Sequence, residues 1–201
     1  MSSPAPTKPQ VWFPDTSALV TLAVHTPLGD DVRARMGAVG ALRVLLDAVV
    51  GELHDLAGSR STDAPWAAKA LGELAWLGKP VALDDLGQQL AVDFQEEIRG
   101  SRPLRHPAEH WGEAAILGLT TRAEKLTPLM FSDDYNARLA ADGNGVKAVG
   151  VHKYLHLLIR ARAMPAPRAA GHAQALYAAG RHQDYTQQEL AVGRLGRVGM
   201  P

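Results

Sequence analysis

Four acidic positions stand where apolar runs of the chain give way to helical patterns. They are Asp15, Glu52, Glu113 and the pair Asp133-Asp134. Open α/β sheets bind their ligands beyond the carboxyl ends of the strands, so carboxylates at such junctions can meet. Two carboxylates ~4 Å apart repel by ~4 kcal/mol at an effective dielectric constant near 20. The pattern therefore predicts carboxyl groups with raised pKa values, or a bound hard cation such as Mg²⁺ or Mn²⁺.

The elements that must position these acids alternate between strand and helix patterns. The predicted strands are 10–14, 41–46, 79–83, 129–131 and 146–149. The predicted helices are 16–24, 47–56, 64–77, 84–99, 107–122, 135–141, 150–163, 169–179 and 187–195, with Asp47 and Asp84 as caps and Pro107 in a first turn. This alternation predicts a three-layer α/β/α sandwich with a small, mainly parallel sheet.

Turn signals divide the pattern. Gly29-Asp30-Asp31 is expected to break it, 142–145 to form a turn and 164–167 to form a hinge. We expect a disordered segment at 1–9, an α/β domain at 10–163 and a helical extension at 164–201.

Composition excludes several classes of chemistry. The chain has 201 residues, of which 46% are hydrophobic and 21% charged, and it has no cysteine. Disulfides, thiolate zinc sites and thiol nucleophiles are therefore excluded. The sequence shows no signal peptide and no membrane-spanning run, so we expect a cytoplasmic protein without membrane contact. Residues 151–201 carry seven Lys and Arg against two acids, a weak sign that the tail helps to hold a polyanion.

The acidic positions lie in short motifs that resemble those of the PIN-domain family, the metal-dependent ribonucleases that include VapC-type toxins. Asp15-Thr16-Ser17-Ala18-Leu19 is similar to the opening motif, and Glu52 to the second acid, on the helix after strand two. Gly112-Glu113-Ala114 and Ser132-Asp133-Asp134 are similar to the third and fourth motifs. The resemblance runs from about residue 10 to 163. It departs from the family between Glu52 and Glu113, where ~60 residues include an insertion-like helix pair at 64–99.

The resemblance implies a Mg²⁺- or Mn²⁺-dependent endoribonuclease, with the Asp15 strand central in the sheet. Its metal ligands would be Asp15, Glu52, Glu113 and one or both of Asp133 and Asp134, with a slight preference for Asp134. The family also implies an RNA substrate, an antitoxin partner and a homodimer.

Other polar residues are candidates for supporting roles. The hydroxyls of Thr16 and Ser17 could cap the first helix or hydrogen-bond a metal-bound water. Gly112 in a helix costs ~1 kcal/mol relative to alanine, and is easier to understand if another group approaches closely. Candidates for binding the flanking phosphates are Arg99, Arg102, Arg105 and Arg138.

Less specific interpretations stay open. Asp15, Asp133 and Asp134 could be helix N-caps, and Glu52 and Glu113 solvated helix residues. A catalytically inactive PIN-like module that binds RNA or protein is the alternative from another class. A more distant one is a zinc hydrolase, because His106-Pro107-Ala108-Glu109-His110 has the pattern His-x-x-Glu-His.

Overall fold

A computed structural model describes residues 9–103 and 106–181 and shows one parallel sheet in the order β2-β1-β3-β4. Its strands are β1 (Gln10–Pro14), β2 (Leu42–Arg43), β3 (Thr127–Phe131) and β4 (Lys147–Val149). Phe13 pairs with Met130, and Phe131 with Val149. As expected, β1 is an inner strand.

Helices cover both faces of this sheet. They are α1 (Thr16–Val24), α2 (Thr26–Ala38), α3 (Asp47–Ala57), α4 (Ala64–Gly72), α5 (Asp85–Arg99), α6 (Trp111–Thr120), α7 (Tyr135–Gly143), α8 (Val151–Arg160) and α9 (Ala166–Ala178), with a 3₁₀ turn at Leu74–Leu77. No helix in the described ranges is long and apolar enough to cross a membrane.

Side chains alternate across the sheet and build one core on each face. Val11 and Phe13 belong to the core that contains the buried apolar side chains of α3 to α7. Trp12 points to the opposite core, where its ring meets Phe131 and Tyr154 edge-on at centroid distances of 5.6 and 5.0 Å. The predicted three-layer fold class is thus confirmed.

The predicted break at Gly29-Asp30-Asp31 is wrong, because these residues lie within α2. Pro27 stands in the first turn of that helix, where its missing N–H costs nothing. Gly29 is buried against α1, and a Cβ there would lie 3.3 Å from the carbonyl oxygen of Leu22. The glycine therefore serves close helix packing.

The second and third predicted strands are mostly irregular. Only Leu42–Arg43 of the run 41–46 is a strand, and the candidate 79–83 is reduced to a single bridge between Leu46 and Val81. Asp47 does not cap α3; it is the first helical residue, and Leu46 occupies the cap position.

The segment 64–99 is an integral part of the fold. α4 packs against α1 and α3, and α5 lies along α6. The two backbones of this last pair approach so closely that a Cβ at Gly118 would lie 2.6 Å from the carbonyl oxygen of Gly87. As predicted, Asp84 caps α5 by accepting a hydrogen bond from the Gly87 amide at 2.8 Å.

α9 belongs to the core formed with α1, α2 and α8. The buried His172 on this helix holds two partners, with Nε2 2.9 Å from Asp31 Oδ2 and Nδ1 3.0 Å from His25 Nε2. Arg168 also pairs with Asp31, through two hydrogen bonds of 2.6 Å. The predicted helix near 187–195 and most of the segment 1–9 lie outside the described residues.

Candidate metal centre

Asp15 lies at the carboxyl end of β1, directly beside the end of β3. Its backbone amide donates to the carbonyl of Phe131 at 3.0 Å. Its carboxylate accepts from the Ala18 amide at 2.8 Å and from the Ser17 hydroxyl, so Asp15 is the N-cap of α1. The cap interpretation is therefore correct, although capping leaves the residue close to the other acids.

Burial raises the pKa of Asp15 from 3.8 to about 7, because the side chain is fully inaccessible to solvent. Hydrogen bonds from Ser132, Ala18 and Ser17 act in the opposite direction, and the charge of Asp133 adds to the rise. A buried carboxyl group with a raised pKa is also a candidate for a functional group.

Glu52 reaches from α3 to the start of α6. Its carboxylate accepts a hydrogen bond from the Gly112 amide at 2.8 Å and another from the Thr16 hydroxyl. Burial raises the pKa of Glu52, and those two hydrogen bonds moderate the rise. A Cβ at Gly112 would lie 2.5 Å from Glu52 Oε2, so the close approach inferred from this glycine is that of the Glu52 side chain.

Glu113 is the most unusual of the acids. The side chain is buried, with 6% of the residue exposed, and its Oε2 atom has no hydrogen-bond partner among the described residues. Burial raises the pKa of Glu113 well above its ordinary value, and the charges of Glu52, Asp15 and Asp134 raise it further. A buried oxygen without a partner costs ~1–3 kcal/mol, which a bound cation would recover.

The two adjacent aspartates have different surroundings. Asp133 is buried, and its Oδ1 accepts from the Val151 amide at 2.8 Å, at the start of α8. Asp134 is half-buried and caps α7 through the Ala137 amide at 2.8 Å, which leaves Oδ2 facing Glu113 and His110. Asp134 therefore lies in the acidic group, whereas Asp133 is held against the next helix.

Among the described residues, one group of three can hold a metal ion. Ligand atoms of His110, Glu113 and Asp134 all lie within 4.8 Å of one another, with His110 Nδ1 3.9 Å from Asp134 Oδ2. Sequence reasoning named His110 only in the zinc alternative. Because His110 offers an imidazole nitrogen, the group contains both nitrogen and oxygen donors, whereas oxygen donors alone were expected.

A tight turn brings His110 to this position. Gln95, buried on α5, donates from Nε2 to the carbonyls of Pro107 and Glu109 at 2.8 and 2.7 Å. His110 adopts the left-handed conformation, with φ of 64°, and α6 begins only at Trp111.

The helix predicted from Pro107 is therefore wrong in its first turn. The zinc-hydrolase pattern requires His106 and His110 on one helix face, and that face does not exist.

These residues surround a cleft of about 1130 Å³, which we call the acidic cleft. Of the predicted site residues it is lined by Thr16, Ser17, Glu52, Glu113, Asp133, Asp134 and Arg138, and sequence reasoning missed Asp55, Asp63, Tyr135 and Arg181. Asp15 is fully buried and is not part of this lining. Arg99 and Arg102 line a different depression, and Arg105 lies outside the described residues.

The lining is strongly negative. Seven carboxylates face two arginines. Both arginines already have acceptors, since Arg138 donates to the carbonyl of Ser132 at 3.0 Å and Arg181 lies 2.6 Å from Asp63. Nothing in this lining favours an anion unless a cation is bound first.

Comparisons of the chain with family models, curated proteins and solved structures found no match.

Proposed function

We propose that the protein is a divalent-cation-dependent endoribonuclease of the PIN-like type, with Mg²⁺ or Mn²⁺ as its cation. The observation that carries the proposal is the unpartnered, buried Oε2 of Glu113, which lies among the charges of Glu52, Asp15 and Asp134. Like charges in a buried group are tolerable only when protonated or when a cation neutralises them. A cation bound at neutral pH would also supply the Lewis acid that RNA hydrolysis needs.

The donors fit such an ion. Glu113 and Asp134 would hold it directly with His110, and Glu52 would be kept in place by Thr16 and the Gly112 amide. Carboxylate oxygens predominate, which suits Mg²⁺ or Mn²⁺, although the imidazole makes Zn²⁺ a competitor to test. When bound, the cation supplies a Lewis acid that offsets phosphate charge and lowers the pKa of a water.

The chain's own residues would do the remaining work. A carboxylate of the group that is not bound to the cation would accept the proton of the attacking water. Asp15 would keep α1 and the Thr16 hydroxyl in position beneath the cleft. Arg138, at the cleft wall, is placed to contact a phosphate next to the one being cleaved.

Two further observations support a PIN-like assignment. The acidic motifs occur in the order and on the elements that the resemblance implies, and the fold is an α/β/α sandwich with β1 inside the sheet. Part of the same proposal is that the enzyme is the toxin of a toxin–antitoxin pair. That part rests on the motif resemblance alone.

The direct test is cleavage of a structured RNA by the purified full-length protein. We expect cleavage with Mn²⁺ or Mg²⁺, none with excess EDTA, and a loss of at least a hundredfold in Glu113→Gln. Asp93→Asn, an exposed change on α5, is the matched control and should cleave normally. If the wild type binds the RNA but does not cleave it with Mg²⁺, Mn²⁺ or Zn²⁺, the protein is a catalytically inactive RNA-binding module and the proposal fails.

A further inference from the structure

The first turns of α7 separate the acidic cleft from a second depression. Tyr135 and Arg138 face the cleft, whereas Asn136, Leu139 and Ala140 line a depression of about 490 Å³. The other wall of that depression is the end of α5 and the turn that follows it, including Arg99 and Arg102. We call it the Arg99–Arg102 depression.

This depression contains the positively charged side chains that are few in the acidic cleft. Its lining contains Arg99, Arg102 and one carboxylate, that of Glu97, which accepts hydrogen bonds from the Asn144 amide at 3.1 and 3.3 Å. Arg99 lies 4.0 Å from the exposed Glu96, and Arg102 donates from Nε to the carbonyl of Arg99 at 3.4 Å, which leaves its other guanidinium nitrogens for a ligand. Gly100, at φ of 63°, turns the chain so that the two arginines share one wall.

An exposed apolar ridge joins the two depressions. Tyr135 is 69% exposed and Leu139 is 59% exposed, the two highest values among the large hydrophobic residues of the described chain. They stand four residues apart and therefore share one face of α7. Tyr135 lines the acidic cleft together with His110, Glu113 and Asp134. Two exposed apolar side chains next to a polar cleft are candidates for a binding surface.

We propose that Tyr135 is a stacking platform for an unpaired base and that the Arg99–Arg102 depression binds the phosphates of the nucleotides beyond it. The inference rests on the proposed function, since the scissile phosphate would lie at the metal group. It adds positive charge outside the acidic cleft, where seven carboxylates outnumber two arginines. Arg138 can supply only one of the phosphate contacts, so further contacts are needed outside the cleft.

The test measures binding of a short, fluorescently labelled oligouridylate by anisotropy, with Ca²⁺ as the cation and the integrity of the RNA checked on a gel. Base–aromatic stacking predicts that Tyr135→Ser weakens binding roughly 5- to 100-fold, while Tyr135→Phe keeps the wild-type affinity. Leu86→Ser is the control, because Leu86 is 50% exposed at the far end of α5.

The arginines are tested by the salt dependence of the same binding. Each phosphate contact contributes about 0.7 to the slope of log K against log salt for single strands, so Arg99→Gln with Arg102→Gln should lower the slope by roughly 1.4. Lys147→Gln, an exposed change at the amino end of β4, should leave it unchanged.

The result that overturns the inference is wild-type affinity in Tyr135→Ser or an unchanged slope in the double arginine variant. This failure is distinct from failure of the proposed function. A protein that cleaves RNA but shows no effect of these variants refutes the inference alone. One that shows the binding effects but does not cleave with Mn²⁺ refutes the nuclease alone.

Discussion

The substitution Asp15→Asn should make the protein more stable, and increasingly so as the pH rises. Asparagine is as good an N-cap as aspartate, so the hydrogen bond from the Ala18 amide is kept. What changes is titration: burial raises the pKa of Asp15 from 3.8 to about 7 in the folded state. Because the folded pKa is the higher one, the unfolded state releases its proton first as the pH rises.

The magnitude follows from this difference. Each pKa unit corresponds to about 1.4 kcal/mol, so a rise of roughly three units lowers the free energy of unfolding by about 4 kcal/mol between pH 4 and pH 7. Below pH 4 the group is protonated in both states and the variant has no advantage. Above pH 7 the advantage should level off near 4 kcal/mol, or less where Asp15 and its charged neighbours share the protonation.

Urea denaturation followed by tryptophan fluorescence, in EDTA and at several values between about pH 4 and pH 8, measures this difference. Asp93→Asn, at an exposed position on α5, should match the wild type throughout. If the difference between Asp15→Asn and wild type does not change with pH, or has the opposite sign at pH 8, the carboxylate is not held in a costly environment and the electrostatic reasoning is refuted.

Two further substitutions test how the site and the fold are held. Gly112→Ala should displace the carboxylate of Glu52, since the added methyl group would lie 2.5 Å from its Oε2, and we expect at least a tenfold loss of Mn²⁺ affinity by calorimetry. Gly51→Ala, with open space around it on α3, should keep that affinity; equal affinities in both variants would refute the contact. His172→Ala should lower the free energy of unfolding by about 1–3 kcal/mol in a urea titration, because its two buried partners lose a hydrogen bond. The exposed His54→Ala should change it little, and equal effects would show that the α9 contacts contribute nothing.

Strong local signals explain what could be predicted from the sequence. β1 and α1 have the predicted bounds, because a short apolar run ends at a proline and Asp15 then caps a helix. The cap at Asp84 could be predicted for the same reason, because it depends only on residues close to it in the sequence. The break predicted at Gly29 is wrong because this glycine packs against another helix, which is a tertiary contact that the surrounding sequence does not show.

The acidic residues of the candidate site could be predicted from the sequence, whereas the turn that positions His110 could not. Glu52, Glu113 and Asp134 come together, as expected from their positions where apolar runs give way to helical patterns. His110 joins them only because Gln95, far back on α5, holds a left-handed turn. The same turn moves the start of α6 from Pro107 to Trp111. Arg99 and Arg102 are close to α7, but the α5 turn places them outside the cleft.

The most direct test of the central claim is calorimetric titration of the metal-free protein with Mn²⁺ at neutral pH. Glu113, Asp134 and His110 should bind the ion, and binding should release protons because burial raises the pKa of Glu113 and of Asp15. Glu113→Gln should abolish this binding, while Asp93→Asn should bind as the wild type does. Absence of Mn²⁺ binding by the wild type, or equal binding by Glu113→Gln, would contradict the account.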